Sequence, residues 1–287
     1  MTKGRRVALA SCLLFTGLGS AWWIAGSVLA APSRAVIGGP PADLSGSDVR
    51  LVSGSGATLR GWFLPGVAGD GAVVLMHGVR ANRSSMVERA RFLRAAGFSV
   101  LLCDFQAHGE STGDHITFGY LESGDAQAEV RFVRQRMPGE KVGVIGMSLG
   151  GASAVLAAPP MDVDAMVLES VYPTIHDAVS DRLTARLGPW ASLLTPLLTI
   201  QLRMRFGIGE EQLRPVDRVG ALRVPKLFIA GTADRSTTIA ESERLFQVAA
   251  EPKELWEVRG ATHQDLCAFA GDEYRVRVVR FLQKYLR

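Results

Sequence analysis

Residues 141–151 read Lys141-Val142-Gly143-Val144-Ile145-Gly146-Met147-Ser148-Leu149-Gly150-Gly151. An apolar run stops at a glycine, a serine follows two positions later, and small residues continue behind it. Val142–Ile145 shows no apolar/polar alternation, as expected for a parallel strand covered on both faces. Gly146-Met147-Ser148-Leu149-Gly150 is a G-x-S-x-G sequence, and the spacing predicts a strand over Lys141–Gly146 and a helix over Leu149–Ala158. A sharp strand-to-helix turn needs small flanking residues, because a β-carbon there collides with neighbouring backbone. The turn also sets the serine at a helix N-terminus, where backbone N–H groups favour developing negative charge. A glycine-rich packing turn is the bland alternative; the strand before it and the helix after it favour a nucleophile.

Outward from this point the chain alternates. Strands are predicted at Ala72–His77, Phe98–Asp104, Ala165–Glu169, Lys226–Ala230 and Glu254–Val258. Helices are predicted at Ser85–Ala96, Leu121–Met137, Thr238–Ala249 and Asp272–Leu286. Val49–Ser53 and Thr58–Leu64 flank Gly54-Ser55-Gly56 and read as an antiparallel hairpin. The fold class is therefore α/β: a doubly wound, mostly parallel sheet with an N-terminal antiparallel hairpin. Between Ser170 and Val224 the rhythm breaks into helical pattern without a strand, giving a small helical cap over about residues 174–214. Trp190, Leu194 and Leu198 within it are the candidates for a substrate pocket.

A serine hydroxyl needs a base, and the base needs an orienting acid. His263, in Gly260-Ala261-Thr262-His263, follows the last strand and can reach the sheet's carboxyl edge. Asp234, in Gly231-Thr232-Ala233-Asp234, follows the strand before it, with Glu169 as the alternative acid. The order Ser148, Asp234, His263 is that of α/β hydrolases. The oxyanion of a tetrahedral intermediate needs fixed donors, assigned here to the backbone N–H groups of Val79 and Leu149. His77 is read as shaping the loop before Val79 rather than as a second base.

With Leu75-Met76-His77-Gly78, Asp104-Phe105-Gln106-Ala107-His108-Gly109-Glu110-Ser111, Gly146–Gly151, Gly231–Asp234 and Gly260–His263, the chain resembles the serine α/β-hydrolase superfamily over about Leu51 to Leu286. Within it the chain resembles the esterase/lipase/peptidase-like group that includes Bem46-type membrane-anchored hydrolases. The resemblance implies the same triad and oxyanion roles. Two departures stand out. The family's D-x-R-G-H-G-x-S loop carries Gln106 and Ala107 here, so an ion pair from that position to Asp104 cannot form. The V-P pair frequent after the acid is Arg235-Ser236 here.

The chain has 287 residues, 47% hydrophobic and 21% charged, with 31 glycines and 13 prolines, which excludes a disordered or collagen-like chain. The net charge is +4, and Lys3, Arg5 and Arg6 supply three of the cations while no acid precedes Asp43. The rest is near neutral, which argues against a nucleic-acid partner. Val7–Ala31 carries no charge. Its length leads us to expect a single membrane-spanning anchor (residues 1–31), with a linker over 32–48 and the catalytic domain (49–287) outside the cytoplasm. A cleaved export signal ending near Val28-Leu29-Ala30 is the alternative. Leu9-Ala10-Ser11-Cys12 looks like a lipoprotein box but lies too close to the basic cluster. Cys103 and Cys267 read as buried thiols, and neither a metal nor an organic cofactor is expected.

The function read from the sequence is hydrolysis of a carboxylic ester or thioester, with a small-molecule or lipid-like acyl ester as substrate, through an acyl-enzyme on Ser148. The same triad serves a peptidase or an acyltransferase. A catalytically silent binding protein on this fold is the reading from another class.

Overall fold

Runs of apolar residues free of alternation become strands with no solvent face. The structure, a computed structural model, describes residues 3–287. The side chains of residues 3 and 6–15, including Cys12 of the lipoprotein-like box, lie outside the described residues. Ten strands are described: β1 (Ser33–Arg34), β2 (Ser47–Val52), β3 (Thr58–Leu64), β4 (Ala72–Met76), β5 (Ser99–Cys103), β6 (His108–Gly109), β7 (Val142–Met147), β8 (Ala165–Glu169), β9 (Lys226–Gly231) and β10 (Lys253–Val258). Eight of them form one sheet in the order β10-β9-β8-β7-β4-β5-β3-β2, and β1 pairs with β6. Pairing is parallel from β10 to β5 and antiparallel at β3–β5 and β2–β3, with Leu51 opposite Leu59 in the hairpin. Every residue of β4, β5, β8 and β9 is buried.

The helices are α1 (Lys3–Ala30), α2 (Val87–Ala95), α3 (Tyr120–Arg136), α4 (Leu149–Leu156), α5 (Ile175–Leu187), α6 (Thr195–Phe206), α7 (Ile239–Val248) and α8 (Leu266–Leu286). One face of the sheet is covered by α2 and α8 through Leu93, Tyr274 and Phe281. The other is covered by α3, α4 and α7 through Val130, Ala152 and Leu245. This is the α/β-hydrolase architecture. The last helix starts earlier than the expected Asp272, because the Asp265 carboxylate caps it by accepting from the N–H of Cys267 at 2.9 Å. It breaks at Gly271, whose φ of 54° and ψ of −122° interrupt the helix.

Chain order reverses between β4 and β7. After β4 the chain adds β5 on one side, then crosses to lay β7 on the other. In open α/β sheets, ligands bind outside the carboxyl ends of the strands at such a point.

The 174–214 segment forms the cap. Helix α5 is started by Thr174, whose side-chain oxygen accepts from Asp177 N at 3.1 Å. A 3-10 turn over Pro189–Leu194 leads to α6, which ends at Gly207 with φ 69°.

The N-terminal expectation is corrected. Among the described residues no helix is long and apolar enough to cross a membrane. The carboxyl end of α1 is instead built into the domain. Gln201 Nε2 donates to Trp22 O at 3.0 Å, and Arg205 donates to Ser27 Oγ at 2.8 Å. Ile116 N donates to Ala30 O at 2.8 Å, and Ala30 is buried. The expected spanning anchor with the catalytic domain outside the cytoplasm falls with that finding, and the membrane as a partner is not supported. An export signal ending near Ala30 is likewise not supported: the cap is hydrogen-bonded to the helix that its removal would take away.

Candidate active site

Strand β7 runs into α4 through Ser148, whose φ of 48° and ψ of −108° are unusual for a residue with a side chain. Such strain, on the order of 1–3 kcal/mol, persists only where surrounding structure imposes it. Here Ser148 N donates to Glu169 O at 2.8 Å, and Ala152 N donates to Ser148 O at 2.9 Å. The flanking glycines are required by space. A β-carbon at Gly146 would lie 2.5 Å from Gly151 N, and one at Gly150 would lie 2.3 Å from Met76 O. The Ser148 hydroxyl is buried and has no hydrogen-bond partner among the described residues. A buried hydroxyl without a partner calls for an explanation, and a nucleophile awaiting its substrate provides one.

The loop after β10 brings His263 to the loop after β9. His263 Nδ1 lies 2.8 Å from Asp234 Oδ2. With the carboxylate ionised, the proton sits on Nδ1 and Nε2 is left as an acceptor. Burial pushes the Asp234 carboxyl up. The His263 bond, its charge and the N–H groups of Thr237 and Ser236 outweigh that and hold it below the ordinary value. Ser236 N and Thr237 N donate to Asp234 Oδ1 at 2.7 and 3.0 Å, so each carboxylate oxygen has its own task. Ser148 and His263 line the same cavity of about 270 Å³. Glu169, weighed as the alternative acid, is engaged elsewhere: Arg89 Nη2 donates to it at 2.7 Å in a fully buried ion pair.

The two oxyanion candidates come from different segments, both lining a cavity with Ser148. Leu149 N–H opens α4, and first-turn N–H groups lack helical partners. Val79 N–H follows β4 and donates to no described acceptor. Two neutral histidines fix that loop. His77 Nε2 accepts from Phe105 N at 3.0 Å while its Nδ1 donates to Gly78 O at 2.8 Å. Burial, then the neighbouring His108, bring the His77 pKa down to about 3. His108 Nε2 accepts from Arg80 N at 3.1 Å, holding Arg80 at a φ of 59° just beyond Val79.

Asp104 finds a partner despite Gln106. The fully buried Arg83, at the start of the segment leading into α2, pairs with it and also reaches Glu110 at 2.5 Å. Arg83 N and Glu110 N add hydrogen bonds to Asp104 at 2.7 and 2.9 Å. Burial pushes the Asp104 carboxyl upward against these contacts.

Beside the triad a second cavity of about 240 Å³ opens, walled by Phe118, Tyr172, Ile175, Val179, Leu183 and Leu198 around Ser148. Of the pocket candidates, Leu198 lines it. Trp190 is 83% exposed, and neither it nor Leu194 lines this cavity. Sequence reading missed four of its lining residues. Leu29 reaches it from α1, Arg80 from the oxyanion loop, and Arg182 and Arg186 from α5. The four-residue spacing of those last two arginines is visible in the sequence, but not which face of the helix meets Ser148. Among the described residues no cluster of three His, Cys, Asp or Glu side chains is arranged to hold a metal ion.

Comparison with known proteins agrees with this fold. Residues 68–215 match the family described as serine aminopeptidase, S33. The protein Rv2307c of Mycobacterium tuberculosis is 30% identical over 223 residues, covering 77% of this chain and 73% of its own. YfhR of Escherichia coli K12 is 28% identical over 255 residues, 84% of this chain and 82% of its own. Among solved structures, the Pyrococcus furiosus esterase Pf2001 superposes with a TM-score of 0.75 at 24% identity, over 90% of this chain and 99% of that one. The α/β hydrolase GrgF of Penicillium superposes with a TM-score of 0.67 at 20% identity, over 85% and 99%. The chain belongs to the serine aminopeptidase S33 family of α/β hydrolases and is a hydrolase of the serine type.

Proposed function

We propose that this hydrolase cleaves a carboxylic ester or thioester of a small molecule through an acyl-enzyme on Ser148. The observation that carries the reading is the His263–Asp234 pair at 2.8 Å, its free imidazole edge on the wall of the cavity that the unpartnered Ser148 hydroxyl also lines. His263 Nε2 takes the Ser148 proton as Oγ attacks the carbonyl carbon, and Asp234 stabilises the imidazolium that results. The N–H groups of Val79 and Leu149 receive the oxyanion. Collapse breaks the bond to the alcohol or thiol, which leaves with the proton from His263. Water then repeats the sequence on the acyl-enzyme.

The family's description raises an aminopeptidase as the second reading. An aminopeptidase substrate brings an ammonium group, and neither cavity at Ser148 has a carboxylate in its lining, whereas Arg80, Arg182 and Arg186 stand there. Like charges across a binding site oppose association, which favours the ester reading. The test is hydrolysis of p-nitrophenyl esters of graded chain length, with Ser148→Ala as blank. The expected result is turnover that Ser148→Ala lowers by at least about 10³-fold. Equal turnover by both proteins, or turnover of aminoacyl anilides alone, contradicts the proposal.

A further inference from the structure

The two cavities that meet at Ser148 differ in character. His263 lines one of them and not the other. If the imidazole delivers its proton to the departing alcohol, that alcohol lies on the His263 side, and the acyl chain lies in the cavity walled by Phe118, Ile175 and Leu198. The His263 side is the more polar of the two. Its lining holds Ser236 and His263 together with Arg182 and Arg186, two arginines spaced four apart and so on one face of α5, which stand at the border that this cavity shares with the apolar one.

These cations are not consumed by structure. Arg186 is exposed and makes no hydrogen bond or ion pair among the described residues. Arg182 spends only Nη1, on Ala178 O at 2.7 Å and Ser236 O at 3.2 Å, and has no carboxylate at ion-pair distance. Asp181, Asp234 and Glu241 are the acids near Arg182. Asp234 is bonded to His263, and burial together with the bond to Asp181 brings the Glu241 carboxyl up to about 8, so it is largely neutral at pH 7. A cation in the last turn of α5 favours the helix dipole, which accounts for one positive residue there. It does not account for a second cation one turn earlier, against like-charge repulsion, on the face turned to Ser148.

We propose that the alcohol half of the substrate carries an anionic group, a carboxylate or a phosphate, received by Arg182 and Arg186 beside His263. The inference rests on the ester reading above and narrows it to acyl esters of acidic alcohols. A guanidinium fork suits both anions, and its partly dry setting strengthens the pairing.

The test compares three hexanoate esters on the full chain: 4-hexanoyloxybenzoate, 4-hexanoyloxyphenyl phosphate, and the neutral methyl 4-hexanoyloxybenzoate. The readout is the kcat/KM ratio of each anionic ester to the neutral one. Arg186→Gln, at an exposed position that folding tolerates, is expected to lower that ratio by roughly tenfold, and Arg186→Lys to restore part of it. Adding 0.5 M NaCl should shrink the wild-type ratio in the same direction. Whichever anionic ester shows the larger loss identifies carboxylate or phosphate as the group received. An unchanged ratio in Arg186→Gln and in Arg182→Gln, with the neutral ester still turned over, overturns the inference and leaves the esterase standing. No turnover of any of the three by the wild type overturns the ester reading itself, and this inference with it.

Discussion

Ser148 depends on a backbone shape that only its neighbours make accessible. Gly150 approaches Met76 O so closely that Gly150→Ala forces α4 away from the end of β4. It should destabilise the fold by on the order of 2–4 kcal/mol, read as a lower urea midpoint with unchanged slope. At the other end of the triad, Asp234→Asn leaves the packing intact but lets His263 adopt the wrong tautomer. The expected effect is a fall in kcat of about 10³–10⁴-fold with KM little changed, in the p-nitrophenyl ester assay. A fall below tenfold would show that another group orients the imidazole. Ser148, Asp234 and His263 could be singled out in the sequence because each follows a legible strand within a few residues. Arg83 could not. Its partnership with Asp104 joins residues 21 apart through tertiary packing, and the sequence shows only that Gln106 has vacated the usual cation's position.

At the scale of elements, the cap is visible in sequence as a break in the strand–helix rhythm. Its nearly continuous apolar residues conceal which side faces the sheet, and so Leu198 lines the cavity while Trp190 points to solvent. Helix α1 was harder to read, since an uncharged run reports its composition and not what it packs against. Its last turn supplies Leu29 to the apolar cavity, and Arg80 Nη2 donates to Leu29 O at 3.2 Å. Leu29 therefore helps set the length of that cavity. Leu29→Trp should move the best p-nitrophenyl ester to a shorter acyl chain, and Leu29→Ala to a longer one. Identical chain-length profiles in both variants would assign Leu29 to packing alone.

For the whole molecule, the alternation of apolar runs and helical segments made the doubly wound sheet legible, because burial on both faces leaves a strand no polar positions. Buried polar groups are the part that periodicity does not reveal. Glu129 is fully buried with Oε2 unpartnered, and burial, reinforced by Asp125 and Asp104, pushes its carboxyl well upward. Glu241 is brought up to about 8 by burial and Asp181. An acid whose folded pKa exceeds its unfolded one binds more protons when folded, so stability is full below the unfolded value and is lost as pH rises toward the folded one. The lowered His77 acts in the opposite sense, but only between pH 3 and its ordinary 6.5. The urea midpoint should accordingly fall from pH 6.5 to pH 8, and Glu129→Gln and Glu241→Gln should each reduce that fall. A midpoint flat across this range would mean that both carboxyls are solvated in the native state.

The chemistry converges on one oxygen atom, and covalent capture reads it directly. The folded chain is treated with a fluorophosphonate, and its intact mass and peptide map are measured beside those of Ser148→Ala and His263→Ala. The account predicts one adduct per chain, on the peptide containing Ser148, absent in Ser148→Ala and slowed at least about 10³-fold in His263→Ala. An unmodified wild-type chain, or an adduct on any other residue, would contradict it.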